Sequence, residues 1–354
     1  MKYRTSKIIV SFLTALVLLS MSFLCVSAAE TGTCGSNAQW AFDSQTGNLT
    51  ISGSGYITSY SSADYVPWRS YTDRITSITI EDGITKIGNY AFKDCTLVSD
   101  LTLPDGIKEI GYGAFDNCSS LESVSLPASV EKINDAPFYG CTKLSTISVD
   151  ESNKHYCSDS DSILYNKDKT EIIQYPAGNK SANFSVPYSV TTIGVSAFAG
   201  NTSIRNIFMS ESVNVIGTTA FYECSSLSSI TIPKSVTLIG ENAFSKCSKL
   251  SEVYFTGTQD QWNTVTLRDN NESLNGANFN YETKGPETVS EETTSTTAAS
   301  AEDDTPANYE KIVEEQIKNN IELIPAILIG IGVVVLILII ILIRVITKKY
   351  PDEK

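Results

Sequence analysis

The chain has 354 residues, among them 40 Asp and Glu, 26 Lys and Arg and a single histidine, and its formal net charge is −14. Between residues 29 and 322 the acidic residues exceed the basic ones by 19. Such a negative surface repels nucleic acid phosphates and anionic lipid headgroups, so nucleic acid is not predicted as a partner. With one histidine, the chain also has few ways to pair a nucleophile with a base.

Residues 1–28 have the pattern of a secretory signal peptide. Lys2, Arg4 and Lys7 precede a long apolar run, and residues 26–28 supply the small side chains of a cleavage site. The mature protein is therefore predicted to begin near residue 29 and to be exported from the cytoplasm.

A repeat of 23 residues dominates residues 75–256. Phrases such as YAFKDC, GAFDNC and NAFSKC recur, and their phenylalanines are 23 residues apart in two series, Phe92 to Phe138 and Phe198 to Phe244. Each unit has the apolar pattern L-x-x-L-x-L followed by P-x-S-V-x-x-I-G, which is typical of a leucine-rich repeat. A unit of this size cannot bury its apolar side chains alone, so the units are predicted to stack as a solenoid.

The fold class predicted from this pattern is a mostly-β leucine-rich repeat solenoid. One short strand per unit gives eight strands, which would form a parallel sheet on the concave side. Short turns or 3₁₀ segments would return the chain along the convex side, with Gly240 and its equivalents allowing a tight bend. The step of 60 residues from Phe138 to Phe198 predicts an insertion at residues 151–180, with a hairpin around the turn NKDK.

The L-P-x-x-V-x-x-I-G-x-x-A-F-x-x-C units resemble the BspA-type leucine-rich repeats of bacterial surface proteins, also called the Treponema pallidum type. The likeness covers residues 75–256. Residues 29–74 and 257–282 resemble the end segments of such arrays and are predicted to cap the solenoid. The aromatic residues assigned to the caps are Trp40, Tyr56, Tyr60, Tyr65, Trp68 and Trp262. The resemblance implies a surface protein that adheres to, or binds, an extracellular protein or glycan.

The cysteine at the end of each unit is predicted to be structural. It is present as Cys95, Cys118, Cys141, Cys224 and Cys247. Side chains in register point the same way and not at each other, which disfavours disulfides, and Asn201 replaces the thiol in one unit. We expect these thiols to be buried small apolar groups that act as weak hydrogen-bond donors.

Two chemical alternatives have weaker support. His155, Cys157, Asp159 and Asp161 alternate along the insertion and would share one face of an extended segment, where they could bind a metal, although no C-x-x-C spacing accompanies them. The chain has no recognisable catalytic constellation and no phosphate-binding glycine loop. Neither enzyme activity nor a cofactor is therefore predicted, and a surface hydrolase with a carboxylate pair is the lesser alternative.

The exposed face of the concave sheet is the predicted binding surface. Its side chains are mostly Ser and Thr, but Phe208 and Tyr254 are large, lie two strands apart on one row at about 10 Å, and are typical of a binding hot spot. Their predicted polar neighbours are Asn206, Ser229, Thr231 and Glu252. Two alternatives remain open: a terminal segment or the insertion covers the two rings, or the repeat only displays or spaces something and has no specific ligand.

The C-terminal quarter of the chain predicts attachment to a membrane. Residues 283–309 are rich in Thr, Ser and acids and predict a disordered stalk, and residues 310–322 predict a juxtamembrane helix. Residues 323–343 contain no charge and predict a transmembrane helix about 31 Å long.

The residues after this apolar segment predict its orientation. Arg344, Lys348 and Lys349 follow it at once, and positively charged residues stay on the cytoplasmic side of a membrane helix. Residues 344–354 would therefore form a short cytoplasmic tail, with the repeats outside the cell.

Overall fold

The structure, a computed structural model, describes residues 29–285. The predicted signal peptide, the stalk beyond residue 285, the juxtamembrane helix, the transmembrane helix at 323–343 and the cytoplasmic tail lie outside the described residues. Within residues 29–285, no helix has the length and apolar character needed to cross a bilayer. This part of the chain is a β-solenoid of about nine coils, and most coils contribute two short strands.

The N-terminal segment forms an antiparallel sheet that leads into the first coil. Strands β1 (Glu30–Thr33), β2 (Asn37–Asp43) and β3 (Asn48–Tyr56) pair in this order, and β3 then pairs in parallel with β4 (Ser77–Ile80). Two 3₁₀ turns lie between them, at Ala63–Tyr65 and Arg69–Tyr71. Because β3 pairs with a coil strand, the sheet covers the first coil and shields its core from water.

The aromatic residues of this segment divide into buried and exposed ones. Trp40 and Trp68 are buried and meet edge to face at 6.1 Å, and the Trp68 Nε1–H donates to Ala91 O at 3.0 Å. Tyr60 is half-buried and packs on Trp68. Tyr56 and Tyr65 are 48% and 69% exposed, so the prediction that they pack in the cap is wrong. Tyr56 is the last residue of β3 and Tyr65 the last of a 3₁₀ turn, and both side chains point to solvent.

The strand predicted in each unit is present, and these strands carry the outward-facing Ser and Thr residues. We call them the front strands. After β4 they are β6 (Asp100–Thr102), β8 (Ser123–Leu126), β10 (Thr146–Val149), β14 (Asn183–Ser185), β16 (Asn206–Phe208), β18 (Ser229–Ile232), β20 (Glu252–Phe255) and β22 (Asn278–Tyr281). They pair in parallel, as predicted, but in separate ladders: β6 to β10 form one, and β14 to β22 form another. The predicted unbroken sheet is therefore wrong, since the insertion separates β10 from β14.

A second parallel ladder runs along the other side of the solenoid, where turns or 3₁₀ segments were predicted. Its strands, the back strands, are β5 (Ile84–Ile87), β7 (Glu109–Ile110), β9 (Lys132–Ile133), β15 (Thr192–Ile193), β17 (Val215–Ile216), β19 (Leu238–Ile239) and β21 (Thr266–Leu267). Each back strand in the repeats is the x-I that precedes the glycine of P-x-S-V-x-x-I-G. Most are only two residues long, which is why the sequence showed no strand pattern there.

Close approach of neighbouring coils explains the glycine of each unit. A Cβ on Gly240 would lie 2.4 Å from the Thr218 backbone nitrogen, and one on Gly217 would lie 2.8 Å from the Gly194 carbonyl carbon. Gly240 does not have a positive φ, so its predicted role in a tight bend is wrong. Glycine is needed here because any side chain would separate two backbones that pair in the back ladder.

The insertion adds three strands between β10 and β14. Strands β11 (Tyr156–Ser158), β12 (Leu164–Asn166) and β13 (Glu171–Gln174) form an antiparallel meander, and β12 and β13 flank the predicted NKDK turn. Strand β13 then pairs in parallel with the back strand β15. The insertion therefore ends by forming the first rung of the second back ladder, which the sequence did not predict.

Residues 257–282, predicted as a cap, form one more coil. After β20 the chain makes two single helical turns, Gln259–Trp262 and Glu272–Asn275, and its strands β21 and β22 extend the back and front ladders. Trp262 packs against Phe255 at 5.2 Å and Phe279 at 4.7 Å, which closes the end of the core as predicted for Trp262.

Stacked aromatic rings form the centre of the core. Phe92, Phe115 and Phe138 lie 5.5–5.6 Å apart with nearly parallel rings, and Trp68 continues this stack at its N-terminal end. A second stack contains Phe198, Phe221 and Phe244. Tyr175 from the insertion begins that stack, 4.7 Å from Phe198. Each ring thus buries its faces against the same position of the next coil, and offset stacking of this kind adds to the burial energy.

The repeated cysteines are buried free thiols that bond to the preceding coil, as the sequence predicted. Cys118 Sγ donates to Phe92 O and Cys141 Sγ to Phe115 O, both at 3.2 Å. The same contact recurs at Cys224 and Cys247. Burial raises the pKa of the Cys247 thiol to about 12, so it stays protonated and keeps its donor hydrogen at neutral pH.

Asn201 shows that the position requires a donor and not sulfur. Its Nδ2 atom donates to Pro176 O at 3.4 Å and Asn179 O at 3.3 Å, both on the preceding coil. Its Oδ1 atom accepts from the amides of Ser203 and Ile204 at 2.9 and 2.8 Å. A buried amide therefore replaces the thiol because all of its hydrogen-bonding groups find partners.

We expect Cys118→Ala to lower the free energy of unfolding by about 1–2 kcal/mol, because it leaves a small cavity and removes the donor to the buried Phe92 carbonyl. The matched control is Cys157→Ala, a half-buried thiol outside the ladder, which should change stability by less than about 0.5 kcal/mol. Urea unfolding with and without reducing agent measures both. Equal losses in the two variants, or a melting temperature that depends on the reductant, would contradict this account of the thiols.

Candidate binding face

Two parallel rows of side chains cross the second front ladder. The strand pairing puts equivalent residues of neighbouring strands side by side. The polar row contains Asn183, Asn206, Ser229, Glu252 and Asn278, and the aromatic row contains Ser185, Phe208, Thr231, Tyr254 and Asn280. Phe208 and Tyr254 do lie two strands apart on one row, with Thr231 between them, as the sequence predicted.

The polar row is connected by hydrogen bonds along its length. Asn206 Nδ2 donates to Asn183 Oδ1 at 2.7 Å, and Ser229 Oγ donates to Asn206 Oδ1 at 2.7 Å. Glu252 accepts from the side-chain amides of Asn278 and Asn280 at 3.1 and 2.9 Å, and these two bonds hold the pKa of its carboxyl below the usual value. The predicted polar neighbours Asn206, Ser229 and Glu252 are therefore already paired with one another or with β22.

The aromatic row is covered at its C-terminal end by the chain itself. After β22, residues 283–285 cross the row, and we call these residues the strap. Thr231 Oγ1 donates to Lys284 O at 2.8 Å, and Thr231 is only 4% exposed. Gly285 packs so closely on Tyr254 that an added Cβ would be 2.6 Å from the ring. Thr231 and Tyr254 are thus not the open positions that the sequence predicted, and of the two predicted anchors only Phe208 lies beyond the strap's contacts.

A cleft beside Phe208 contains a residue that the sequence reasoning missed. The cleft has a volume of about 300 Å³, and Tyr188, which is 79% exposed, lines it together with Phe208, Met209 and Lys284. Tyr188 occupies the variable position of P-x-S-V, where other units have Ala128 or Lys234. A large aromatic residue at a position that is small or charged in other units was the available signal, but its proximity to Phe208 requires the fold.

The insertion residues considered as metal ligands are engaged in other contacts. Asp159 accepts from the amides of Asp161 and Ile163 at 3.0 Å and from the Tyr165 hydroxyl at 2.9 Å. Cys157 Sγ contacts main-chain carbonyls of the β12–β13 turn. Across residues 29–285, no group of three or more His, Cys, Asp or Glu side chains is arranged to hold a metal ion.

A second cleft, of about 270 Å³, lies between β9 and the insertion. Asp135, His155 and Glu171 line it; burial, followed by the charge of Asp135, raises the pKa of the Glu171 carboxyl. The Tyr156 hydroxyl on its wall accepts from the Ile133 amide at 2.7 Å. This cleft offers charge but no freely exposed ring, so it is the weaker candidate for a binding site.

Comparison with known proteins identifies the repeat. The model of the BspA type leucine-rich repeat region matches in six copies, over residues 70–181 and 174–284. The chain belongs to this family. No curated protein matches it. The BspA-type region therefore extends from the last 3₁₀ turn before β4 to the strap, which includes the coil that contains β22.

Three solved structures of leucine-rich repeat proteins are similar to this chain. A protein from Eubacterium ventriosum is 28% identical, with 64% of this chain and 72% of that one covered and a TM-score of 0.48. The pneumococcal vaccine antigen PcpA is 16% identical over 72% of this chain and 97% of its own, with a TM-score of 0.38. The T. pallidum leucine-rich repeat protein is 20% identical over 71% and 98%, with a TM-score of 0.29.

Proposed function

We propose that this BspA-type chain is a cell-surface recognition protein that binds an extracellular protein or glycan at the C-terminal end of its front face. The observation that carries the proposal is the pair of aromatic residues, Tyr188 and Phe208, on one cleft beside a hydrogen-bonded strand ladder. Side chains held by such a ladder lose little entropy on binding. Aromatic residues in a concave site, surrounded by hydroxyl groups, are the usual anchors of recognition.

Two other functions are compatible with the family. The repeat could serve only to display or space another part of the surface, in which case changes at Tyr188 and Phe208 would have no effect on binding. A surface hydrolase is less well supported, because burial keeps the pKa of the Cys34 and Cys247 thiols near 12, and a protonated thiol is a poor nucleophile.

Attachment to the cell surface is part of the same proposal. The signal pattern in residues 1–28 and the apolar residues 323–343 with their basic flank support export and a single membrane span. The stalk between them would hold the solenoid away from the membrane.

The aromatic pair is tested by the double variant Tyr188→Ser with Phe208→Ser. A screen of extracellular proteins and glycans with the full chain identifies a ligand, and the double variant should then bind it more weakly by at least about 2 kcal/mol, the usual threshold of a hot spot. Tyr65→Ser is the matched control, since Tyr65 is also exposed but lies at the N-terminal end. Unchanged binding by the double variant, or an equal loss in the control, would place the site elsewhere.

The proposed orientation is tested by protease treatment of intact cells. Protease added outside should release a fragment that contains the repeats, because it cuts the stalk at residues 283–309 while a compact solenoid resists cleavage. Western blotting of the supernatant measures release. A fragment that stays with the cells and is cut only after lysis would show that the orientation is wrong.

A further inference from the structure

The strap is an extended peptide bound on the aromatic row. The Glu282 amide donates to Gly257 O at 3.0 Å and the Thr283 amide to Phe255 O at 3.4 Å, which directs the chain away from β22 and over the row. The Lys284 carbonyl then accepts from the Thr231 hydroxyl at 2.8 Å.

The coverage of Thr231 is specific to this end of the ladder. The corresponding residues on the strands before the insertion are exposed: Thr79, Thr102, Ser125 and Ser148. Thr231 differs because the strap lies on it and uses its hydroxyl. The row therefore contains a hydroxyl that is directed at a main-chain carbonyl of a bound peptide.

Gly285 determines what fits against Tyr254. Its φ is +70°, and an added Cβ would be 2.6 Å from both Cγ and Cδ2 of the Tyr254 ring. A residue with a side chain would be strained in its backbone and would also collide with the ring. Lys284, immediately before it, lines the cleft that contains Tyr188 and Phe208.

We propose that Phe208, Thr231 and Tyr254 form a binding site for an extended, glycine-containing peptide of a partner protein, and that the strap is the chain's own occupant of that site. In this arrangement the peptide carbonyl before the glycine accepts from Thr231, the glycine packs on the Tyr254 ring, and the preceding side chain enters the cleft. The inference rests on the proposed function and narrows its ligand from protein or glycan to a peptide segment.

A covalently attached occupant can regulate such a site without closing it. A segment on a short tether has an effective concentration in the millimolar range, so its own contacts need only be weak to cover the site. A partner that also fills the cleft beside Phe208 makes more contacts than the strap does. It can therefore displace the strap at concentrations well below millimolar.

The experiment frees the site in the full chain and offers the strap sequence as a separate peptide. Gly285→Val should lift the strap, because the new side chain collides with Tyr254. The probe is a fluorescent synthetic peptide with the sequence of residues 281–290, YETKGPETVS. We expect it to bind the Gly285→Val protein with a Kd of roughly 0.1–1 mM, and the parent protein at least about tenfold more weakly. Fluorescence anisotropy measures both affinities.

Two controls make the result specific. In the Gly285→Val background, Thr231→Val should weaken the peptide by about tenfold, whereas Thr79→Val, the same position on β4, should not. A peptide with valine in place of its glycine should not bind. Equal binding to the parent and to Gly285→Val, no binding to Gly285→Val up to several millimolar, or equal effects of the two threonine substitutions would overturn the proposal.

This inference and the proposed function fail in different ways. A ligand that needs Tyr188 and Phe208 but proves to be a glycan, together with no peptide binding, would leave recognition at the cleft intact and remove the peptide site. Peptide binding that needs Thr231, together with ligand binding that ignores Tyr188 and Phe208, would support the peptide site and contradict the proposed anchors.

Discussion

Hydrogen bonding between the main chains of successive coils is the constraint on which the rest of this structure depends. The Phe92 amide bonds to Ala114 O and the Phe198 amide to Ala220 O, both at 2.8 Å, so each coil is fixed against the next in one register. A position then contacts its own equivalent in the neighbouring coil. Rings stack on rings, thiols donate to the carbonyls of the previous coil, and glycines lie against backbone. The 23-residue period is the sequence record of this single requirement.

The same register creates the binding face and also limits it. Neighbouring outward-facing residues form straight rows, and in the polar row Asn183, Asn206 and Ser229 bond to one another. A row of this kind is well ordered but offers few free groups to a partner. Recognition therefore depends on positions where the repeat varies, such as Tyr188 and Phe208, and on the end of the ladder, where the chain leaves the register and the strap crosses the row.

The sequence predicted what repeats and missed what does not. The front strands, the core positions, the buried thiols and the shared row of Phe208 and Tyr254 all follow from the period, because stacking makes each unit report on its neighbours. The back ladder was missed because two-residue strands have no periodicity of their own. Tyr175 was missed because the insertion changes the spacing of the ring position. The strap was missed because its contacts with Thr231 and Tyr254 join residues that the sequence does not relate.

Amide hydrogen exchange over residues 282–285 of the full chain tests most directly whether the chain occupies its own binding row. The amides of Glu282 and Thr283 are bonded to Gly257 O and Phe255 O, so their exchange should be slower than in an unstructured peptide. It should become faster in Thr231→Val, which loses the bond to Lys284 O, while β18 stays protected. Exchange at the unstructured rate in the parent chain would mean that the row is open and would contradict the account.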